Sequence, residues 1–277
     1  MDMTDKKTVL SVLAAHDLKP KKQLGQNFLV SRTILEHIIE SAQISPDDSI
    51  LEIGPGLGAL TAALAAKAKT VVAVEKDTRL CEILNNTLRE HRNISIIPGD
   101  ILRLSPLPFT SDTAPYRVIA NIPYYLTGRL IRSLVSSENP PRDIVLMVQK
   151  EVAHRIVSIP PDMNLLGVSV QYYGAARILK TVPRSAFWPV PEVDSAVIYI
   201  NLEKRTKNIA EEKRFFLVAK AGFSQPRKLL RSNLKKHLSI DESALTSSFA
   251  SCGIPEQARA QDVSMEQWRC LASHFEV

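Results

Sequence analysis

Between Ser49 and Leu202 the sequence alternates short apolar, β-rich runs with helix-like segments, a rhythm that few folds accommodate. Strands are expected over residues 49–53, 70–75, 94–97, 117–121, 144–149, 177–182 and 196–202. The first five are nearly continuous apolar runs, as parallel strands buried on both faces require. Helical patterns such as 59–68 and 78–89 lie between them. That repetition specifies an α/β fold with a doubly wound, mostly parallel sheet. A proline-rich loop, Pro183 to Pro191, joins the last two strands in place of a helix, which predicts an antiparallel hairpin at one sheet edge. Residues 210–277 read as short helices without a strand. The compositional break near Glu203–Asn208 then divides the chain into a sheet domain, 1–205, and a small all-helical domain, 206–277.

Composition narrows the class. Apolar residues at 45% and charged residues at 23% are ordinary for a globular chain. The longest apolar runs, such as Ile144 to Val148, are strand-sized. They fall far short of the roughly 20 residues that cross a bilayer, so no membrane association is expected. Residues Met1 to Lys7 lack the apolar core and cleavage site of a secretory signal. Cys81, Cys252 and Cys270 are scattered and have no C-x-x-C spacing. That predicts a cytoplasmic protein with neither a disulfide frame nor a metal site.

The formal charge of +6 is unevenly spread. Between Lys204 and Lys236 stand eleven basic residues and two acids, which leaves the rest of the chain slightly acidic. A second basic segment, Lys19-Pro20-Lys21-Lys22 with Arg32, lies near the N-terminus. Either cluster alone reads as a solvated face; the pair favours a polyanionic partner.

The first strand runs into Gly54-Pro55-Gly56-Leu57-Gly58 and then a helix. Glycines there admit positive φ and close backbone approach, and a helix N-terminus favours a polar ligand. The second strand ends in Glu75, placed to accept hydrogen bonds from both hydroxyls of a ribose lying across the strand ends. A second acid, Asp100, follows the third strand and can accept from an adenine amino group. A dinucleotide enzyme prefers G-x-G-x-x-G, with room for a pyrophosphate. The spacing here suits an adenosine cofactor without phosphate, S-adenosyl-L-methionine.

The fourth strand leads directly into Asn121-Ile122-Pro123-Tyr124. An exocyclic amine of a nucleobase is a poor nucleophile, because its lone pair is delocalised into the ring. Two acceptors aimed at its N–H groups favour sp³ character and stabilise the cation that develops as a methyl arrives. The Asn121 oxygen and the Ile122 or Pro123 carbonyl supply them, since proline restricts its predecessor and offers no N–H. Tyr124 offers an aromatic face, with stacking worth about 1–3 kcal/mol.

With these motifs in view, the chain resembles the KsgA-type small-subunit ribosomal RNA adenine N6,N6-dimethyltransferases. The likeness begins at Lys21-Lys22-Gln23-Leu24-Gly25-Gln26-Asn27-Phe28-Leu29 and runs beyond Leu234. It takes in Glu52–Gly58, Val74-Glu75, Gly99-Asp100, Asn121–Tyr124, Gln149–Val152, Ala186–Val197 and the basic stretch Arg227-Lys228 with Arg231 and Asn233-Leu234. The resemblance implies a class I, Rossmann-like methyltransferase. Asn27, Leu29, Gly54, Gly56, Glu75, Asp100 and Asn121 would hold the cofactor. Asn121, Pro123, Tyr124 and Phe187 would hold the target adenine, the two rings sandwiching it. The product would be N6,N6-dimethyladenosine at two adjacent adenosines of a hairpin near the 3′ end of small-subunit rRNA, with a monomeric enzyme acting on a pre-ribosomal small subunit.

Lys21, Lys22, Arg227, Lys228, Arg231 and Lys235 are the expected phosphate contacts, the last four on a helix opened by Pro226. Three departures from the family pattern fall at Gly128-Arg129, Met163–Gly167 and Pro226. The rival readings are dimethylation of large-subunit rRNA and a non-catalytic ribosome-assembly factor of the same fold.

Overall fold

The computed structural model describes residues 1–104, 115–202 and 208–275. Its nine strands are β1 (Phe28–Leu29), β2 (Ser49–Ile53), β3 (Thr70–Glu75), β4 (Ile94–Pro98), β5 (Tyr116–Asn121), β6 (Asp143–Gln149), β7 (Ala175–Val182), β8 (Phe187–Trp188) and β9 (Ser195–Asn201). Seven form one sheet in the order β4-β3-β2-β5-β6-β9-β7. The pairings β4-β3, β3-β2, β2-β5 and β5-β6 are parallel, and β9 runs antiparallel to β6. Every residue of β5 and β6 except the last is buried, which is why their central residues, 118–120 and 144–148, read as apolar runs. The expected strands are present within two residues at each end, and β7 is the edge strand beside β9.

Contacts divide the chain into two compact units, Met1–Ala153 with Arg177–Glu203, and His154–Ala176 with Lys204–Val277. His154–Ala176, which precedes the compositional break, thus packs with the helical residues. The break itself lies almost wholly outside the described residues.

In the first unit, the helices α1 (Lys6–Ala15), α2 (Arg32–Ser41), α3 (Ala59–Ala65), α4 (Thr78–Thr87) and α5 (Thr127–Val135) accompany the sheet. Helix α4 shows how the sequence sets them. Asp77 caps its first turn by accepting from the Arg79 N–H, and Leu80, Cys81, Ile83 and Leu84 form one buried stripe. The short strands β1 and β8 pair with each other outside the main sheet, matching Phe28 with Trp188 and Leu29 with Phe187. Two-residue strands carry no readable alternation.

Helix α6 (Lys150–Ile156) follows β6, and α7 (Leu165–Tyr173) precedes β7. The second unit gathers α7 with α8 (Ile209–Gly222), α9 (Leu230–Leu238), α10 (Glu242–Ser251) and α11 (Met265–Ser273). Their core holds Phe215, Leu230, Leu234, Leu245 and Trp268. Gly222 is required there, because a Cβ would lie 2.5 Å from the Trp268 ring.

Two expectations need correction. Pro226 does not open a helix: α9 begins at Leu230, and Arg227 and Lys228 stand in the preceding turn, where the Leu229 to Arg259 bridge fixes the backbone. Cys252 and Cys270 are joined in a disulfide, although they are 18 residues apart. Helices α10 and α11 both contribute to one shared core, and that tertiary arrangement brings the two sulfurs together, a proximity that sequence spacing does not encode. Cys81 is free and buried.

Candidate active site

Strand order reverses between β2 and β5, and an open α/β sheet opens its ligand crevice at the carboxyl ends of such strands. A pocket lies there. Its walls include Asn27, Leu29, Gly54, Gly56, Glu75, Asp100, Asn121, Pro123, Tyr124 and Phe187, so every residue expected to hold cofactor or base converges on one cavity.

The glycine turn forms its floor. Gly56 has φ +63°, a conformation that disfavours other residues, and a Cβ on it would press on the Phe28 ring at 3.3 Å. Its N–H donates to Glu75 Oε2 at 3.2 Å, and the Asp77 N–H donates to Oε1 at 2.9 Å. Burial raises the Glu75 pKa, and these two N–H bonds oppose that rise. Each oxygen keeps a second lone pair for a ribose hydroxyl. Asp100 accepts from Lys76 at 3.0 Å, and that ammonium holds its carboxyl below the ordinary range.

A loop from the N-terminal segment closes one side. Lys21 pairs with Asp77 at 2.7 Å, Gln26 donates to the same carboxylate at 3.3 Å, and the Lys21 N–H donates to Gln26 Oε1. These bonds fasten the loop to the cap of α4 and present Asn27 and Leu29 to the cavity.

The far side is the tip of β5. Asn121 is half-buried, and its side-chain amide has no hydrogen-bond partner among the described residues. Tyr124 is fixed at its hydroxyl by Ser195 Oγ at 2.7 Å. Phe187 is only 2% exposed and serves both the pocket wall and the core, whereas Tyr125 is 51% exposed at the rim.

Among the wall residues to which sequence reasoning gave no role are Tyr125, Met3 and Glu52, the last quoted only as part of the Glu52–Gly58 motif. Glu52 is the most unusual. It is 1% exposed, its Oε2 has no partner, and burial with the nearby charge of Glu75 pushes its pKa up to about 8. An acid in the midst of an apolar strand was its signal.

The expected RNA contacts divide. Arg227 and Lys228 are exposed and carry no acidic partner among the described residues. Arg231 pairs with Glu242 and with Glu256, and Lys235 pairs with Glu242 at 2.7 Å. Lys204, Arg205 and Lys207 of the basic cluster lie outside the described residues.

Comparison with known proteins identifies the family. Residues 17–276 match the family described as ribosomal RNA adenine dimethylase. The chain is 39% identical over 265 residues to the ribosomal RNA small subunit methyltransferase A of Dehalococcoides mccartyi strain CBDB1, covering 95% of this chain and 91% of that one. It is 36% identical to the protein of the same name from Streptococcus sanguinis, covering 98% and 97%. Among solved structures, the 23S rRNA methyltransferase ErmE superposes with a TM-score of 0.75 at 26% identity, covering 90% of this chain and 99% of ErmE. A dimethyladenosine transferase from Plasmodium falciparum gives 0.70 at 25% identity, covering 87% and 94%.

Proposed function

The chain belongs to the ribosomal RNA adenine dimethylase family, and from that premise we propose which atoms of the pocket do the chemistry and where on the RNA it happens. The enzyme methylates adenine of small-subunit rRNA. Its donor is S-adenosyl-L-methionine, which supplies an activated methyl on a sulfonium centre. The pocket suits that group: Gly56 leaves the floor open, and Glu75 and Asp100 offer acceptors to ribose and adenine. Gly54, Asn27 and Leu29 complete the cradle.

The unpartnered Asn121 amide carries the reading. A half-buried amide without a protein partner at a strand tip, lining the same pocket as Pro123 and Tyr124, is an acceptor free to take an amine hydrogen. Its oxygen and the Ile122 or Pro123 carbonyl take the two N6 hydrogens, while Tyr124 holds the base flat. Phe187 supports the opposite wall. No strong base stands in the motif, and none is needed, because the methylated amine is acidic enough to release its proton to water. The target adenosine must be unpaired or flipped to present its amine.

The finer assignment is dimethylation of two adjacent adenosines in a hairpin near the 3′ end, on a pre-ribosomal small subunit, by a cytoplasmic monomer. Residues 206–277 serve as the RNA-binding domain. No helix among the described residues is long and apolar enough to cross a membrane.

Incubation with methyl-labelled donor and unmethylated small subunits, followed by nucleotide mapping, tests this. Label should appear at N6 of two neighbouring adenosines near the 3′ end. Label in large-subunit rRNA, or none, overturns the assignment.

A further inference from the structure

The helical unit holds a cluster that the methylation chemistry does not use. The disulfide partners Cys252 and Cys270 lie beside His274, and one ligand atom from each falls within 4.8 Å of the others. Cys252 stands at the C-cap of α10. Cys270 and His274 are one helical turn apart at the end of α11, so both project from the same face. His274 Nδ1 lies 3.8 Å from Cys252 Sγ and 2.9 Å from the Cys270 carbonyl oxygen. A disulfide requires two cysteines and nothing else. Here an imidazole nitrogen, a good ligand for the same ions as thiolate, lies within reach of both sulfurs on an exposed ring.

We infer that, in its dithiol state, the Cys252–Cys270–His274 cluster binds a thiophilic divalent cation of the Zn²⁺ class. Reduction of the S–S bond by a dithiol transfers two electrons and two protons to the sulfurs, leaving the reductant as its own disulfide. Both thiols then release their protons as the ion binds, and their two negative charges balance its two positive ones. With Zn–S bonds of about 2.3 Å, tetrahedral coordination sets the sulfurs about 3.8 Å apart. Their Cα separation of 5.7 Å accommodates that span without moving either helix. Nδ1 of His274 exchanges its contact with the Cys270 carbonyl for the ion, and its exposure leaves the fourth position to water. The ion then ties α10 to α11 in the reduced protein as the disulfide does in the oxidised one.

Titration of the fully reduced protein with Co²⁺ under anaerobic conditions tests the site. The expected result is one equivalent bound, with intense tetrahedral visible bands and a sulfur-to-cobalt charge-transfer band, both erased by one equivalent of Zn²⁺. The oxidised protein should show neither. Cys252→Ser with Cys270→Ser should abolish the signal, and His274→Ala, which alters only an exposed ring, should weaken binding at least about tenfold. Zn²⁺ should also raise the melting temperature of the reduced wild type and not of the double serine variant. Absence of stoichiometric Co²⁺ binding by the reduced protein overturns the inference. So does equal binding by the double variant, whose remaining cysteine is the buried Cys81. Neither readout depends on methyl transfer, so the result stands apart from the rRNA assignment.

Discussion

Arg117 and Glu52 are both buried in the same sheet, and they are treated in opposite ways. Arg117, 3% exposed near the amino end of β5, has every guanidinium nitrogen engaged. Nε donates to Asp143, Nη1 to Asp48 at 2.8 Å and to the Gln43 carbonyl, and Nη2 to the Ala42 carbonyl at 2.6 Å. Arg142 also pairs with both acids. At the carboxyl end of β2, Glu52 is equally buried with one oxygen left unmatched, and the half-buried Asn121 amide on the adjacent strand makes no protein hydrogen bond among the described residues. The buried Arg117 at the amino end is fully matched, whereas at the carboxyl end Glu52 keeps one oxygen unmatched and Asn121 keeps its amide free of protein partners.

The largest expected effect tests the saturated end. Arg117→Met strands two buried carboxylates and should cost about 3–5 kcal/mol of stability, read by urea unfolding. The folded fraction should methylate at the wild-type rate per molecule. A loss below about 1 kcal/mol would erase the contrast. At the open end, Asn121→Ala should lower kcat about 10²–10³-fold while cofactor affinity, measured by calorimetry, stays within a few-fold. Wild-type turnover in that variant would remove the amide from the chemistry.

Glu52 supplies an effect with a sign. Its folded pKa is raised from the ordinary 4.5 to about 8, so the folded state holds a proton that the unfolded chain gives up. Stability from this group is therefore full below pH 4.5 and is lost as pH rises through about 8, by at most about 1.4 kcal/mol per pH unit. Asp48 behaves oppositely: burial pushes it up, but the Ser45 N–H and Arg117 hold its carboxyl low, so its contribution is lost toward acid. Glu52→Gln should leave the acid limb of the stability profile intact and abolish the alkaline one, raising the melting temperature above pH 8 by several degrees. A parallel downward shift of the whole profile would mean that the unmatched oxygen is structural.

How much of this was legible in the sequence depended on the range of the interaction. The parallel strands, Gly54–Gly58, Glu75 and Asn121–Tyr124 could be read because each is a local pattern whose chemistry is carried by adjacent residues. The β1-β8 pair, the Cys252–Cys270 bond and the Arg117 network join residues far apart in sequence, and no local periodicity announces them. Helix α9 illustrates a local misreading. Pro226 is suited to a first turn, yet the Leu229 to Arg259 bridge and the burial of Leu230 delay the helix by four residues. Phe187 was read as a stacking face from its proline-stiffened loop, but backbone pairing with Leu29 seats its ring in the core as well as in the pocket wall.

The same distinction between matched and unmatched groups sorts the basic residues, where the smallest effect is expected. Arg231 and Lys235 share Glu242, and Arg231 also meets Glu256, so their charge is already answered within the protein. Arg227 and Lys228 stand exposed in the turn before α9, their charge open to a phosphate. Arg227→Glu with Lys228→Glu should therefore weaken RNA binding several-fold at moderate salt and reduce the salt slope of log K by about one to two, one for each phosphate no longer neutralised. Arg231→Gln with Lys235→Gln should change that slope by less than half as much and act mainly on the stability of the helical unit. Cofactor affinity should be untouched in both. Equal slopes for the two pairs would show that the internal acids are displaced when RNA binds, and that saturation at a solvent-exposed surface does not predict function as it does inside the sheet.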